Sequence, residues 1–318
     1  MNVSKLFDLH THSTVSDGKL SPSALVSAAA DKGIVGLALS DHDTIAGLVE
    51  AGEEAQKRGI ILVHAVEIEI NWNEFPLLSG DSGTSNEGGG AGKREFHLLG
   101  LGIDEPSPDF LVLLAELRES RDKRNQIMVE RMRDLGFPCD LAEIYAISGT
   151  EFVGRPHFAE YLVQKKIVKN YETAFKKYFG KGEPLFVPRK GADFARALRV
   201  IKESGGIAVL AHPTTLYVSW GHMQSILEKL REAGLDGIEA WHPLVSEHES
   251  RRLVGMAEPL GLCITAGSDY HGEGRRDRRL GESSGGIKIS ADLFDFSPLK
   301  TSAYAFNGSL GKFVAALV

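Results

Sequence analysis

Short apolar runs alternate with amphipathic stretches along most of the chain. The run from Lys5 to Leu9 is followed by SPSALVSAAADKG, whose apolar residues recur at helical spacing, and then by the strand-like IVGLALS. A second helical stretch, AGLVEAGEEAQKRG, leads into IILVHAVEIEI. This is a βαβαβ rhythm. It returns after residue 190 with ARALRVIKESGG, IAVLAHP, SILEKLREAG, DGIEAWHP, SRRLVGMAEPLG and LCITAGSDYH. Such alternation predicts parallel strands with crossover helices, an α/β architecture whose reactive loops gather at the carboxyl ends of the strands.

Two segments break the rhythm. Residues 74–94, EFPLLSGDSGTSNEGGGAGKR, are too rich in Gly, Ser and Asn to pack and read as a flexible loop between two strands. Residues 105–190 read as successive helices with no strand between them. The expected organisation is a barrel from 1–104 and 191–318, with 105–190 as a helical insertion over its mouth.

Side chains two apart on a strand share a face, so DLHTHS projects His10 and His12 together, with Asp8 behind them. Alone, an HxH at a strand end is more often two polar residues on an exposed face than a ligand pair. Recurrence changes that reading. IVGLALS runs into Asp41, His42 and Asp43; IILVHAVEIEI carries Glu67 and Glu69; EFHLLGLGI supplies His97; IAVLAHP supplies His212; LCITAGSDYH supplies Asp269 and His271. Buried imidazoles and carboxylates are costly unless paired or coordinated, and divalent metal binding explains their arrival at one end of a barrel.

Composition narrows the chemistry. A chain of 318 residues that is 42% hydrophobic can bury a full core, and its net charge of -7 gives no basic tract to follow a nucleic acid by charge alone. An anionic substrate must be attracted locally. Cys139 and Cys263, both among apolar neighbours, read as core residues of a protein in a reducing compartment, and no thiolate metal site is expected. No leader-like or membrane-spanning apolar run is seen, so the expected location is cytoplasmic, with no membrane and no stable protein partner. His64, His222, His242 and His248 fall outside the ligand pattern, although His242 stands at a strand end. The basic run GRRDRR at 274–279 reads as a solvated loop rather than a nucleotide-guiding rim, and Trp72, Trp220 and Trp241 as packing residues.

The stretches DLHTHSTVSDG, SDHDT, the Glu67 to His97 region, AHP and GSDYH, in that order, resemble the polymerase and histidinol phosphatase (PHP) domain superfamily. The resemblance implies a distorted (β/α)7 barrel and a centre of two or three divalent metal ions. Carried over by motif, it assigns His10, His12, Glu67 and Asp269 to one ion, Glu67, His97 and His212 to a second, and Asp17, His42 and His271 to a third. Three such ions carry about +6 against about -3 from the acids, a positive pocket suited to phosphate. Oxygen and imidazole ligands suit manganese foremost, with zinc, iron and magnesium as alternatives.

Asp17-Gly18, VGRPHFAEYLV and YFGKGEPLFVP resemble the bacterial branch that includes 3',5'-nucleoside bisphosphate phosphatases and 5'-to-3' exoribonucleases. In that context Arg155 and His157 are candidates for phosphate recognition, since a guanidinium can hold two phosphate oxygens. The expected activity is hydrolysis of a small-nucleotide phosphomonoester by a hydroxide bridging two cations. The alternatives are 5'-to-3' trimming of short RNA and a non-catalytic metal-binding accessory module.

Overall fold

The computed structural model describes residues 5–71, 96–150, 152–180, 182–188, 190–273, 277–300 and 308–317. The loop expected at 74–94, Trp72 and residues 274–276 of the basic run lie outside the described residues. Among those described, seven strands form one sheet in sequence order: β1 (Leu6–Asp8), β2 (Ile34–Leu39), β3 (Ile61–Glu69), β4 (His97–Leu101), β5 (Ile207–Leu210), β6 (Gly237–Trp241) and β7 (Cys263–Ala266). The sheet's edges meet at the mouth, where the Leu9 N–H donates to the Ala266 carbonyl (3.2 Å) and the His12 N–H to the Tyr270 carbonyl (2.9 Å). The main helices are α1 (Pro22–Asp31), α2 (Leu48–Arg58), α3 (Pro108–Asp134), α4 (Leu141–Ser148), α5 (Arg155–Gln164), α6 (Tyr171–Ala174), α7 (Phe194–Glu203), α8 (Trp220–Glu232) and α9 (Glu247–Ala257). Together they make a distorted (β/α)7 barrel. None of the described helices is long and apolar enough to cross a membrane.

The helices begin and end on local signals. Ser21 accepts from the Ala24 N–H ahead of α1, with Pro22 at its first position, and Gly59 closes α2 in the left-handed region. The uniformly parallel order expected from the rhythm fails at β4, which pairs antiparallel with both β3 and β5. This reversal brings His97 to the mouth: it opens β4 opposite Glu69, which closes β3. All five residues of β4 are buried, and an apolar run reads alike in either direction, so the hydrophobic pattern carries no sign of the reversal.

The insertion is built on α3, which at 27 residues spans about 40 Å. Its first half packs Phe110, Leu113, Leu114 and Leu117 onto the barrel core. Its second half packs Met128, Val129 and Met132 into another apolar cluster with Ile144, Phe158 and Tyr161. Between the two lie buried Arg121, Arg124 and Asn125, whose polar atoms need partners. Arg124 and Asn125 donate to the Val153 carbonyl (3.2 and 3.0 Å), and Arg121 pairs with Asp43 in the loop after β2. After α4, the Thr150 hydroxyl reaches the Ser16 carbonyl (3.3 Å), which places the insertion over the barrel mouth.

Candidate metal centre

The loops at the mouth are held by acids that flank the candidate ligands. Asp8 accepts from the backbone N–H groups of Ser268 (2.9 Å) and Gly281 (2.8 Å), tying the end of β1 to the segment after β7; burial pushes its carboxyl up to about 6. Asp41 accepts from the Ser13 N–H (2.8 Å) and from the hydroxyls of Ser13 (2.6 Å) and Ser16 (2.5 Å). Asp43, His212 and Asp269 adopt φ of 53°, 30° and 49°. Such left-handed backbone is unfavourable for residues with a Cβ and here clusters around one site.

All nine candidate ligands come together. His10 Nε2 and His12 Nε2 lie 3.1 Å apart, and both approach Glu67 Oε2 (3.4 and 3.3 Å) and Asp269 Oδ1 (3.6 and 3.3 Å). Glu67 Oε1 lies 2.8 Å from His97 Nδ1 and 2.9 Å from His212 Nε2. Asp17 Oδ1 lies 3.1 Å from His271 Nε2 and 3.8 Å from His42 Nε2, while His42 Nδ1 reaches Glu67 Oε2 at 3.0 Å. Glu67 is thus the carboxylate common to the cluster. Arg155 and His157 are not among these donors. Arg155 opens α5, and His157 Nδ1 accepts from the Gly154 N–H (3.0 Å) in that helix's cap. Burial lowers the His157 pKa, opposed by the charge of Asp17.

The donor set fits divalent cations. His12 Nδ1, Asp17 Oδ1 and Glu67 Oε2 are buried without a hydrogen bond, and in each of three overlapping groups (His12, Asp17, His42, His271; His10, His12, Glu67; His42, Glu67, His97) the donor atoms lie within 4.8 Å of one another. Orphaned buried acceptors are costly, and ring nitrogens facing each other at contact distance need a cation or a proton between them. Burial opposes charge on Glu67, yet His42, His97 and His10 hold its carboxyl well below the usual range. Burial also opposes charge on Asp269, which Arg278 and His10 keep low, and on Asp17, which His271 and His42 keep low. Burial lowers His12 in turn, but the adjacent carboxylates of Asp269 and Glu67 bring it up to about 9. In the metal-free chain protons on His10 and His12 therefore offset the neighbouring carboxylates.

Three further residues belong to the site. Glu239 on β6 is buried, with Oε1 2.9 Å from His10 Nδ1 and Oε2 accepting from the His212 N–H (2.8 Å). An acid inside the otherwise apolar GIEAW strand is the same signal that marks Glu67, and it could have found this residue. His242, outside the ligand pattern, is buried with Nε2 3.2 Å from Asp269 Oδ2. The basic run is only partly the solvated loop expected. The side chain of Arg279 is 69% exposed, but that of Arg278 is 12% exposed and ion-paired with Asp269. Phe152 of the insertion stacks on His42 (6.0 Å between centroids) and carries the Arg121 guanidinium 3.9 Å from its ring centre. Beside it opens a cleft of about 590 Å³, lined by Thr14, Val15, Ile45, Leu114, Arg118 and Phe152.

A family model described as the PHP domain matches residues 8–182. The chain is 35% identical over 269 residues to a 5'-3' exoribonuclease of Haemophilus influenzae, covering 85% of this chain and 91% of the relative. It is 32% identical over 280 residues to a 3',5'-nucleoside bisphosphate phosphatase of Chromobacterium violaceum, covering 85% and 89%. Among solved structures, an amidohydrolase from Chromobacterium violaceum with bound sulfate superposes with a TM-score of 0.72 at 29% identity, covering 86% of this chain and 93% of the other.

Proposed function

The chain belongs to the PHP domain family and is a metal-dependent phosphoesterase, and on that premise we propose that it hydrolyses a phosphomonoester of a small nucleotide such as a 3',5'-nucleoside bisphosphate. The observation that carries the reading is Glu67: one buried carboxylate with His10, His12 and His42 around one oxygen and His97 and His212 around the other. In this reading, two or three divalent ions, manganese foremost, are held by His10, His12, Glu67 and Asp269, by Glu67, His97 and His212, and by Asp17, His42 and His271. Bound there, the cations supply a lowered pKa for water and offset the charge of the phosphate.

The chain's own residues do the rest. Glu67 is buried, so charges around it are screened less by solvent than they would be at the surface. Arg155 and His157 stand in the first turn of α5, at the positive end of the helix dipole, and they are assigned to the phosphate's non-bridging oxygens. The cleft beside Phe152 has the size of a small-molecule site and is assigned to the nucleoside.

Trimming of short RNA is the second reading. It is favoured by another cleft of about 690 Å³ that shares Arg118, Asp122, Gly149 and Thr150 with the first and would extend the groove along a longer chain.

The test is phosphate release by manganese-loaded protein from 3',5'-adenosine bisphosphate, 5'-phosphorylated RNA and histidinol phosphate. The bisphosphate should turn over with the highest kcat/KM, and His12→Ala and Glu67→Ala should each lower it at least about a hundredfold. Faster turnover of histidinol phosphate, or near-normal activity of either variant, would defeat the proposal.

A further inference from the structure

We infer that Glu239 is a positioning residue of the metal centre, one carboxylate that sets the tautomer of His10 and the backbone of His212 together, an inference that rests on the metal reading above. His10 and His212 are assigned to different ions, and β6 places Glu239 between them. With Oε1 2.9 Å from His10 Nδ1, the carboxylate accepts a hydrogen bond from an Nδ1–H. Nδ1 then carries the N–H, and the lone pair of Nε2 is left for the cluster of His12, Glu67 and Asp269. Oε2 accepts from the His212 N–H at 2.8 Å, and this bond holds His212 at a φ of 30°, with its Nε2 directed to Glu67 Oε1.

The surrounding packing gives the carboxylate no room to drift. Gly267, two residues before Asp269, lies so close that a Cβ there would stand 2.3 Å from the His10 Cβ and 2.5 Å from Glu239 Oε1. Any larger residue at 267 would displace both groups. Glutamine at 239 would keep the shape but not the function. It has a single acceptor oxygen for two donors, so its amide N–H₂ would face either the His10 Nδ1–H or the His212 N–H. A partner that fixes a ligand's tautomer and direction acts on metal affinity, and loss of such a partner lowers affinity about tenfold to a hundredfold.

The experiment titrates manganese and zinc into metal-free wild type, Glu239→Gln and Glu239→Asp against a chromophoric chelator, alongside the thermal midpoint of each metal-free protein. Glu239→Gln should weaken binding tenfold or more while its metal-free midpoint stays within a few degrees of wild type. Glu239→Asp keeps both acceptors but retracts them by one methylene, and it should weaken binding to a lesser degree. In zinc-loaded wild type, the His10 Nδ1 proton should give a slowly exchanging downfield NMR resonance that Glu239→Gln loses. A loss of affinity below tenfold in Glu239→Gln, or a retained His10 resonance, would overturn the inference. So would a metal-free fold as weakened as the metal binding, since that marks a purely structural acid. Wild type that bound no divalent ion would defeat the premise as well, which separates the two failures.

Discussion

Asp41 adjoins His42 in sequence, yet its carboxylate is engaged by the loop after β1 rather than by the donor cluster. Three donors, the Ser13 N–H and the hydroxyls of Ser13 and Ser16, converge on it in a buried position. Asp41→Ala strands all three, and by the cost of unsatisfied buried groups it should destabilise the fold by about 3 kcal/mol, read from urea denaturation of the metal-free chain. The two cysteines are inert for a related reason. Burial pushes the Cys139 thiol up to about 11 and Cys263 higher still, so neither offers much thiolate near neutral pH. Native protein should react with a thiol reagent at pH 8 far more slowly than the denatured chain, with two thiols released on unfolding.

At the scale of elements, one line of contacts leads from α3 to the barrel mouth. Asp43 after β2 pairs with Arg121 of α3, Arg121 lies over Phe152, and Phe152 stacks on His42. Removing one member of a buried ion pair leaves the other charge uncompensated, which costs about 3–5 kcal/mol. Arg121→Met should therefore lower stability by that order, and the double variant Arg121→Met with Asp43→Asn should recover most of it in a double-mutant cycle. An equal loss in the single and double variants would show that Arg121 matters for packing and not for its charge.

For the molecule as a whole, cations and protons compete for the same buried nitrogens. The folded pKa of His12 is raised to about 9, so at pH 7 it holds a proton that a metal must displace. The sign follows: metal affinity should rise as pH is raised toward 9 and fall as pH is lowered, with net proton release at pH 7. Calorimetry in two buffers of different ionisation enthalpy measures that release directly. Because the centre draws on residues from Asp8's loop to His271, ions that bind only the folded chain stabilise all of it. At a metal concentration a thousandfold above Kd the gain is about 4 kcal/mol, visible as a fall in melting temperature on adding a chelator.

The sequence by itself determined the order of strands and helices and made most of the clustered histidines and acids conspicuous, while Asp17 entered only through the resemblance to the PHP superfamily. Those features are local: periodicity sets the element, caps set its ends, and a histidine or acid at the end of an apolar run is conspicuous wherever the chain then goes. Tertiary structure decided the reversed direction of β4, the division of α3 between two apolar clusters, and the layer of residues behind the ligands. His10 and Glu239 are 229 positions apart, and Arg278 was indistinguishable by composition from the exposed Arg279 beside it. Whether a charge ends in solvent or against a buried carboxylate depends on which surfaces the closed sheet brings together, and that is a property of the packed chain rather than of any window along it.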